Sequence, residues 1–325
     1  MWMTAKKYYR FTVYVIIILT IALVSVGCGP ELKRQAEAGG RKLPFTADNP
    51  CSKTFPTLGV WQGQYGILVS AAFPNVPDFT CDCWCYESEV DFVGARPLDG
   101  GRVELRHRSR KNPDVIVVTT VTPEAGAMEI SARMELAKEG VGSLPEEGVW
   151  LNTCWQLGRA AGFCSAPDPY PEFVKRCFIF TEKGRTFLDK TVRKKIPCRS
   201  ADDPKNNPPW VQSYVGVWQK IPETRAGAWA DHSTDRYVRT VIGGVSRDGK
   251  YLAALANDSA QGMAQAWHDC MHNNPQWLPA DAPPAEKRWR QKIYVMENDP
   301  DALLQRVAKD FPNAGKRAKN WVSPK

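Results

Sequence analysis

The sequence predicts a mainly β protein: a large antiparallel β-sandwich with a few peripheral helices, behind an N-terminal signal or anchor segment. Three observations predict it. Apolar and polar residues alternate with a period of two in several separate stretches, two hairpins carry recognisable turn residues, and only two stretches have helical spacing. With 325 residues, 43% of them hydrophobic and 24% charged, the chain has ample apolar material for a core, and disorder, collagen and coiled coil are excluded.

Residues 1–10 carry Lys6, Lys7 and Arg10 with no acid, and residues 11–27 then run without a charge. That is the layout of an export signal. At about 1.5 Å per residue the apolar run is at the short limit for a membrane-spanning helix. It ends in Ser25 and Gly27, small residues that suit cleavage just before Cys28. The segment resembles a bacterial lipoprotein signal, which implies lipidation of Cys28, although Ser25 stands where that family prefers Leu. Lipidation, plain secretion and an uncleaved anchor stay open, and each places the folded part outside the cytoplasm, in the cell envelope. Removing 1–27 takes away three positive charges and lowers the net charge from +8 to +5. That mild excess helps attract an anionic polymer or surface, is also ordinary for a soluble protein, and shows no nucleic-acid-binding tail.

Residues 28–56 mix glycine, proline and alternating charges and read as a flexible tether. The sandwich domain is expected over 57–325. From Arg102 onward, Val103, Leu105 and His107 face one way and Glu104, Arg106 and Arg108 the other, as a half-buried strand requires. A β-branched run over 114–122 and an alternating stretch over 128–136 complete a three-stranded meander. Hairpins follow at 178–188, around Lys183 and Gly184, and at 245–255, around Asp248 and Gly249. Helices are expected over 259–272, with Met263, Ala266, Trp267, Cys270 and Met271 as its stripe, and over 301–311, capped by Asp299 with Pro300 in the first turn. Gly-Val-Trp-Gln occurs at 59–62 and 216–219, with a weaker echo at 148–150. The flanking residues match no further, so two strands each packing an indole are expected ahead of an internal duplication.

The order over 241–312 is an apolar strand, the hairpin S-R-D-G-K-Y-L-A at 246–253, Cys270 and His272 before Pro275, a strand through Lys292, Ile293 and Tyr294, and a capped helix. This resembles the closing part of galactose-mutarotase-like β-sandwiches, the supersandwich type, and the 102–137 meander is similar to their early sheet. The whole sequence also resembles an uncharacterised family of exported bacterial proteins. The first resemblance implies carbohydrate contact but no single reaction, since that superfamily includes epimerases, polysaccharide lyases and accessory domains. S-x-D-G-K hairpins also occur in β-propellers, but a propeller repeats them about every 40 residues and this chain has one good copy.

The chemistry candidates centre on four histidines, His107, His232, His268 and His272. His268 and His272 share a face on a helix or on a strand, so either element brings two imidazoles together. The string H-D-C-M-H resembles the metalloprotease motif H-E-x-x-H with the shorter Asp269 in the glutamate's place. A metal site at His268 and His272, acid-base work by His268, His272 and His107, and a structural pair all stay open; a metal would need a third ligand, with Cys270, His107, His232 and carboxylates as candidates. Trp267, Arg185 and Arg247 are the candidate substrate-binding residues, on the concave face where mutarotase-like sandwiches hold sugar, and His268 and His107 are expected on one side of the sandwich. Trp84 and Tyr86 read as core or as a sugar-stacking platform. Cysteines Cys51, Cys81, Cys83, Cys85, Cys154, Cys164, Cys177 and Cys198 are disulfide candidates in an oxidising compartment, with a soft-metal site or thiols as alternatives for the 81, 83 and 85 trio. There is no C-x-x-C, G-x-S-x-G, P-loop or G-x-G-x-x-G, which leaves haem attachment, serine hydrolysis and nucleotide chemistry without support. The functional expectation is an envelope-tethered protein that binds or acts on a polysaccharide, reaches the membrane through its N-terminus and names no cofactor. The alternative is a non-catalytic docking or structural protein held by disulfides.

Overall fold

A computed structural model describes residues 41–47, 58–63, 66–72, 80–85, 90–137, 153–156, 162–163, 170–192, 212–223, 231–258, 260–265, 270–275, 286–312 and 314. In chain order its strands are β1 (Arg41–Ala47), β2 (Leu58–Gly63), β3 (Gly66–Ala72), β4 (Thr80–Cys85), β5 (Val90–Pro97), β6 (Val103–Ser109), β7 (Val115–Glu124), β8 (Ala127–Leu136), β9 (Thr153–Gln156), β10 (Cys177–Thr181), β11 (Gly184–Phe187), β12 (Gln212–Tyr214), β13 (Asp231–His232), β14 (Val241–Val245), β15 (Tyr251–Asn257), β16 (Ala260–Gln265), β17 (Cys270–Pro275) and β18 (Arg288–Glu297). The α-helices among the described residues are α1 (Tyr170–Arg176) and α2 (Pro300–Asp310). The first sheet runs β1-β2-β3-β4-β9-β17-β16-β12-β13 and the second β11-β10-β14-β15-β18-β8-β7-β6-β5. All named pairings are antiparallel except β12 with β13. The protein is a two-sheet β-sandwich. β1 falls inside the 28–56 segment.

Alternation along each strand decides which face each residue meets. Val103, Leu105, Val117, Met128, Ile130, Leu255 and Ile293 of the second sheet join Trp155, Tyr214, Met263 and Met271 of the first in one buried cluster between the sheets. The intervening residues Phe178, Val241, Ala254 and Tyr294 form a second cluster on the far side of the second sheet, closed by Leu303, Val307 and Phe311 of α2 and its C-cap. The second sheet is therefore covered on both faces over part of its width. At β5 the register shifts between Phe92 and Gly94, so Phe92 and Ala95 both pack on the inner cluster while Val93 is pushed into solvent.

Two polar devices fix the layers. Asn257 on β15 donates from Nδ2 to the Oδ1 (2.8 Å) and carbonyl oxygen (3.0 Å) of Asn273 on β17, and Asn273 donates in turn to the carbonyls of Thr240 and Leu255, joining the sheets through buried hydrogen bonds. On the far side Lys292, almost fully buried, bridges Glu124 (2.6 Å) and Asp310 (2.9 Å), and the Tyr294 hydroxyl donates to the same Asp310, which ties α2 to β18 and β7. Gly243 is required by close packing: a Cβ there would meet the Ala253 carbonyl at 2.6 Å and the Phe178 ring at 2.7 Å.

The meander, both hairpins and the capped helix stand where the sequence places them, with Gly184 at φ 87° and Gly249 at φ 73° in the turns. The Asp299 side chain accepts from the Asp301 and Ala302 amides, and Pro300 opens α2. In the S-R-D-G-K hairpin the Ser246 hydroxyl donates to Asp248 Oδ1, which also accepts from the Lys250 amide, so the turn is closed by its own side chains. Two expectations are overturned. The helix over 259–272 is not formed, because 260–265 and 270–275 are the paired strands β16 and β17. Met263 and Met271 fit a period of two as well as one of 3.6, and pairing with β12 and β9 decides the matter. The second Gly-Val-Trp-Gln is likewise a turn rather than a strand. Gln219 Oε1 accepts from the Gly216 amide at 2.6 Å, Trp218 packs edge-on against Tyr237, and a Cβ at 216 would strike the Trp218 ring. The first copy lies in β2, so the two do not share a structure.

Candidate functional site

Among the described residues, the predicted histidines His107, His232 and His272 do not converge. His107 sits on β6 opposite Phe92, facing the layer between the sheets, fully buried, with the two rings 5.9 Å apart. Burial alone pushes its imidazole down to about 3, so it is neutral at physiological pH. His272 alternates with Met271 and Asn273, which face the sandwich interior, and therefore points away from that layer. His107 and His272 thus lie on opposite sides of the first sheet. His272 registers with Ala264, Ala264 with Ser213 and Ser213 with His232. The latter two histidines share a row but stand three strand spacings apart, about 14 Å, too far to ligate one ion side by side. Among the described residues no group of three or more His, Cys, Asp or Glu is placed to hold a metal ion.

The other predicted positions are scattered. Arg185 on β11 is half-buried, stacks on Phe178 (5.7 Å) and Phe187 (5.2 Å), and donates to Asn298 Oδ1 at 2.6 Å, so it braces the sheet edge against the segment before α2. Arg247 is exposed at the β14–β15 turn, where its amide donates to the Gly162 carbonyl. Cys177, expected in a disulfide, is a buried thiol at the α1–β10 junction that donates to the Phe173 carbonyl at 3.3 Å. Its surroundings, including Ile179 and Phe173, are apolar. Cys81, Cys83 and Cys85 do lie on one strand, β4, Cys154 is on β9 and Cys270 on β17. His268, Trp267, Asp269, Tyr86, Cys28, Cys51, Cys164, Cys198 and the 1–27 segment lie outside the described residues, as does the expected approach of His268 to His107. Among the described residues no helix is long and apolar enough to cross a membrane.

The structure instead assembles a polar platform on the far face of the second sheet, beside the part that α2 covers. Cα register sets it out: Arg96 opposes Glu104, and Arg106 opposes Val118, which opposes Arg133, which opposes Arg288. Arg106 reaches across β7 to Glu135 at 2.5 Å, and Arg133 approaches Glu104 across the same strand at 3.7 Å while binding Glu135 at 2.7 Å. The two bridges pass on either side of Val118, which is why a valine facing outward is only 1% exposed. Arg96 binds Glu104 in a fork at 2.8 and 3.1 Å. Glu104 is itself buried, and the Arg106 and Arg133 hydrogen bonds hold the Glu135 carboxyl below its usual range. Thr120 and Ser131, in register with Glu104, and the exposed Arg108 complete the surface.

The signal for this platform is present in the alternation of Arg102 to Arg108 and of Glu129 to Glu135, but spacing within one strand does not give register between strands, and Arg96 and Arg288 enter only through it. Chemically the platform offers guanidinium forks, carboxylates and hydroxyls in fixed positions. No family model matches the chain, and no curated protein matches it.

Proposed function

We propose that this is an envelope-tethered carbohydrate-binding β-sandwich that recognises a polysaccharide on the outer face of β5–β8 and β18. The observation that carries the reading is the pinned lattice of Arg96, Glu104, Arg106, Arg133 and Glu135. Planar side chains with paired donors or acceptors suit adjacent sugar hydroxyls. Their rotamers are already restricted by one another, so less ordering entropy is lost when a ligand binds. The N-terminal charge pattern and Cys28 support attachment at the envelope, and the resemblance to galactose-mutarotase-like sandwiches supports carbohydrate as the ligand class. Binding is favoured over turnover because His107 is sealed and neutral and does not meet His272.

The test is calorimetric titration of the protein with a panel of neutral and acidic polysaccharides, alongside a product assay on the same mixtures. Saturable binding without new reducing ends or unsaturated products is the expected result. Absence of binding to every member would overturn the proposal, and turnover would overturn its non-catalytic part.

A further inference from the structure

We infer that the ligand of this face is a polyanionic glycan, whose sulfate or carboxylate groups are held by Arg106 and Arg133; the inference rests on the carbohydrate reading above. Among the described residues Arg96, Arg106 and Arg133 share Glu104 and Glu135, so the lattice they form carries one more positive than negative group, and Arg108 and Arg288 border it. Neither shared arginine is sealed, since the side chains of Arg106 and Arg133 keep 37% and 35% of their exposure. A guanidinium has five donors, and bonds to one or two carboxylates leave others for an incoming oxyanion.

Geometry narrows the ligand further. Arg106, Arg133 and Arg288 lie in one register row across β6, β7, β8 and β18, at steps of about 4.8 Å per strand. One such step is close to the length of a pyranose ring; Arg133 and Arg288 stand one step apart and Arg106 and Arg133 two, about 9.6 Å, with Val118 between them, so a chain lying across the strands would meet cations at intervals near one and two of its sugars. Thr120 and Ser131, one pair of residues further along the strands, place hydroxyls beside the same track. An anionic lipid surface fits less well. The two outward-facing aliphatic residues of β7, Ile116 and Val118, are 6% and 1% exposed, and Val93 at the β5 bulge is a single exposed aliphatic side chain at the edge of the patch, a small apolar area to insert among acyl chains.

Calorimetry with heparin, polygalacturonate and dextran tests the inference, with anionic phosphatidylglycerol vesicles as a fourth probe. Saturable binding to heparin, polygalacturonate or both, weakening as salt is raised from 50 to 300 mM, is expected. Binding to heparin alone assigns sulfate, and binding to polygalacturonate alone assigns carboxylate. R106Q together with R133Q should weaken that binding about tenfold or more. The exposed Arg108→Glu, which breaks none of the ion pairs described, should weaken it about threefold even if the double variant does not fold. Equal affinity for dextran, or unchanged affinity in both variants, overturns the polyanion inference and leaves the carbohydrate reading standing. Binding to vesicles and to no glycan overturns both.

Discussion

The outer face of the second sheet has two halves, and they solve the same problem differently. On the half under α2, Phe178, Ala254 and Tyr294 project from the sheet and are closed off by Leu303, Val307 and Phe311. On the other half the projecting residues are Arg106, Thr120, Ser131 and Arg133, and the apolar Val118 among them is hidden by ion pairs that pass on either side of it. β18 takes part in both, with Tyr294 and the buried Lys292 under the helix and Arg288 beyond it. The lesson is that hiding apolar surface does not require a second layer. A hydrophobic cover removes water and gains about 25 cal/mol per Å² of apolar area, whereas a lattice of partly exposed ion pairs gains little stability but keeps its donors facing solvent. The covered half serves the fold, and the open half is the one proposed to meet a ligand.

The comparison breaks first on stability. Leu303→Ala, which empties a fully buried site under α2, should cost about 2–5 kcal/mol in urea unfolding. Arg133→Ala on the open half should cost only about 1 kcal/mol. Equal losses would mean that the lattice is a structural cover rather than a platform. The second test is the pH dependence of the layer beneath the open half. His107 has a folded value of about 3 against an ordinary 6.5, so the unfolded chain binds its proton more readily and the fold loses stability as pH falls below 6.5. The loss should reach roughly 3 kcal/mol by pH 4, and His107→Leu should flatten that slope.

Asp258, next to Arg290 where the halves meet, should act with the opposite sign. Burial raises its carboxyl to about 6, so its fold-favouring protonated form is fully present below 3.8 and is lost as pH rises through 6. Asp258→Asn should therefore stabilise the protein by about 1 kcal/mol at pH 7, after allowance for its partial exposure, and leave it unchanged at pH 3. The smallest effect is expected from Arg96→Ala, whose side chain is 64% exposed: a urea midpoint unchanged within the precision of the titration. A larger loss would show that Glu104 depends on it more than on Arg106 and Arg133.

Much of the sandwich is legible in the sequence because alternation is a local property: Val103, Leu105 and His107 read as inward and prove so, and Asp299 with Pro300 marks the start of α2. The failures have one cause. Met263 and Met271 satisfy two periodicities, and the Trp218 turn depends on Gln219 folding back on Gly216 and on Tyr237 nineteen positions beyond Trp218, none of which a window of neighbours reveals. The platform is of the same kind. Arg106 and Glu135 are 29 residues apart in the chain and meet only because β6, β7 and β8 adopt one register. His107 was legible as a histidine on an apolar face, but its degree of burial depends on the first sheet lying over it.

Ligand recognition is proposed to belong to the open half. The most direct measurement is arginine footprinting: limited phenylglyoxal modification followed by peptide mass spectrometry, with and without a saturating polysaccharide that binds. The account predicts that bound glycan slows modification of Arg106, Arg108 and Arg133 several-fold and leaves the exposed Arg239, which donates to the Val238 carbonyl away from this face, unchanged. Protection of Arg239 or Arg247 with no change at Arg106 and Arg133 would contradict it.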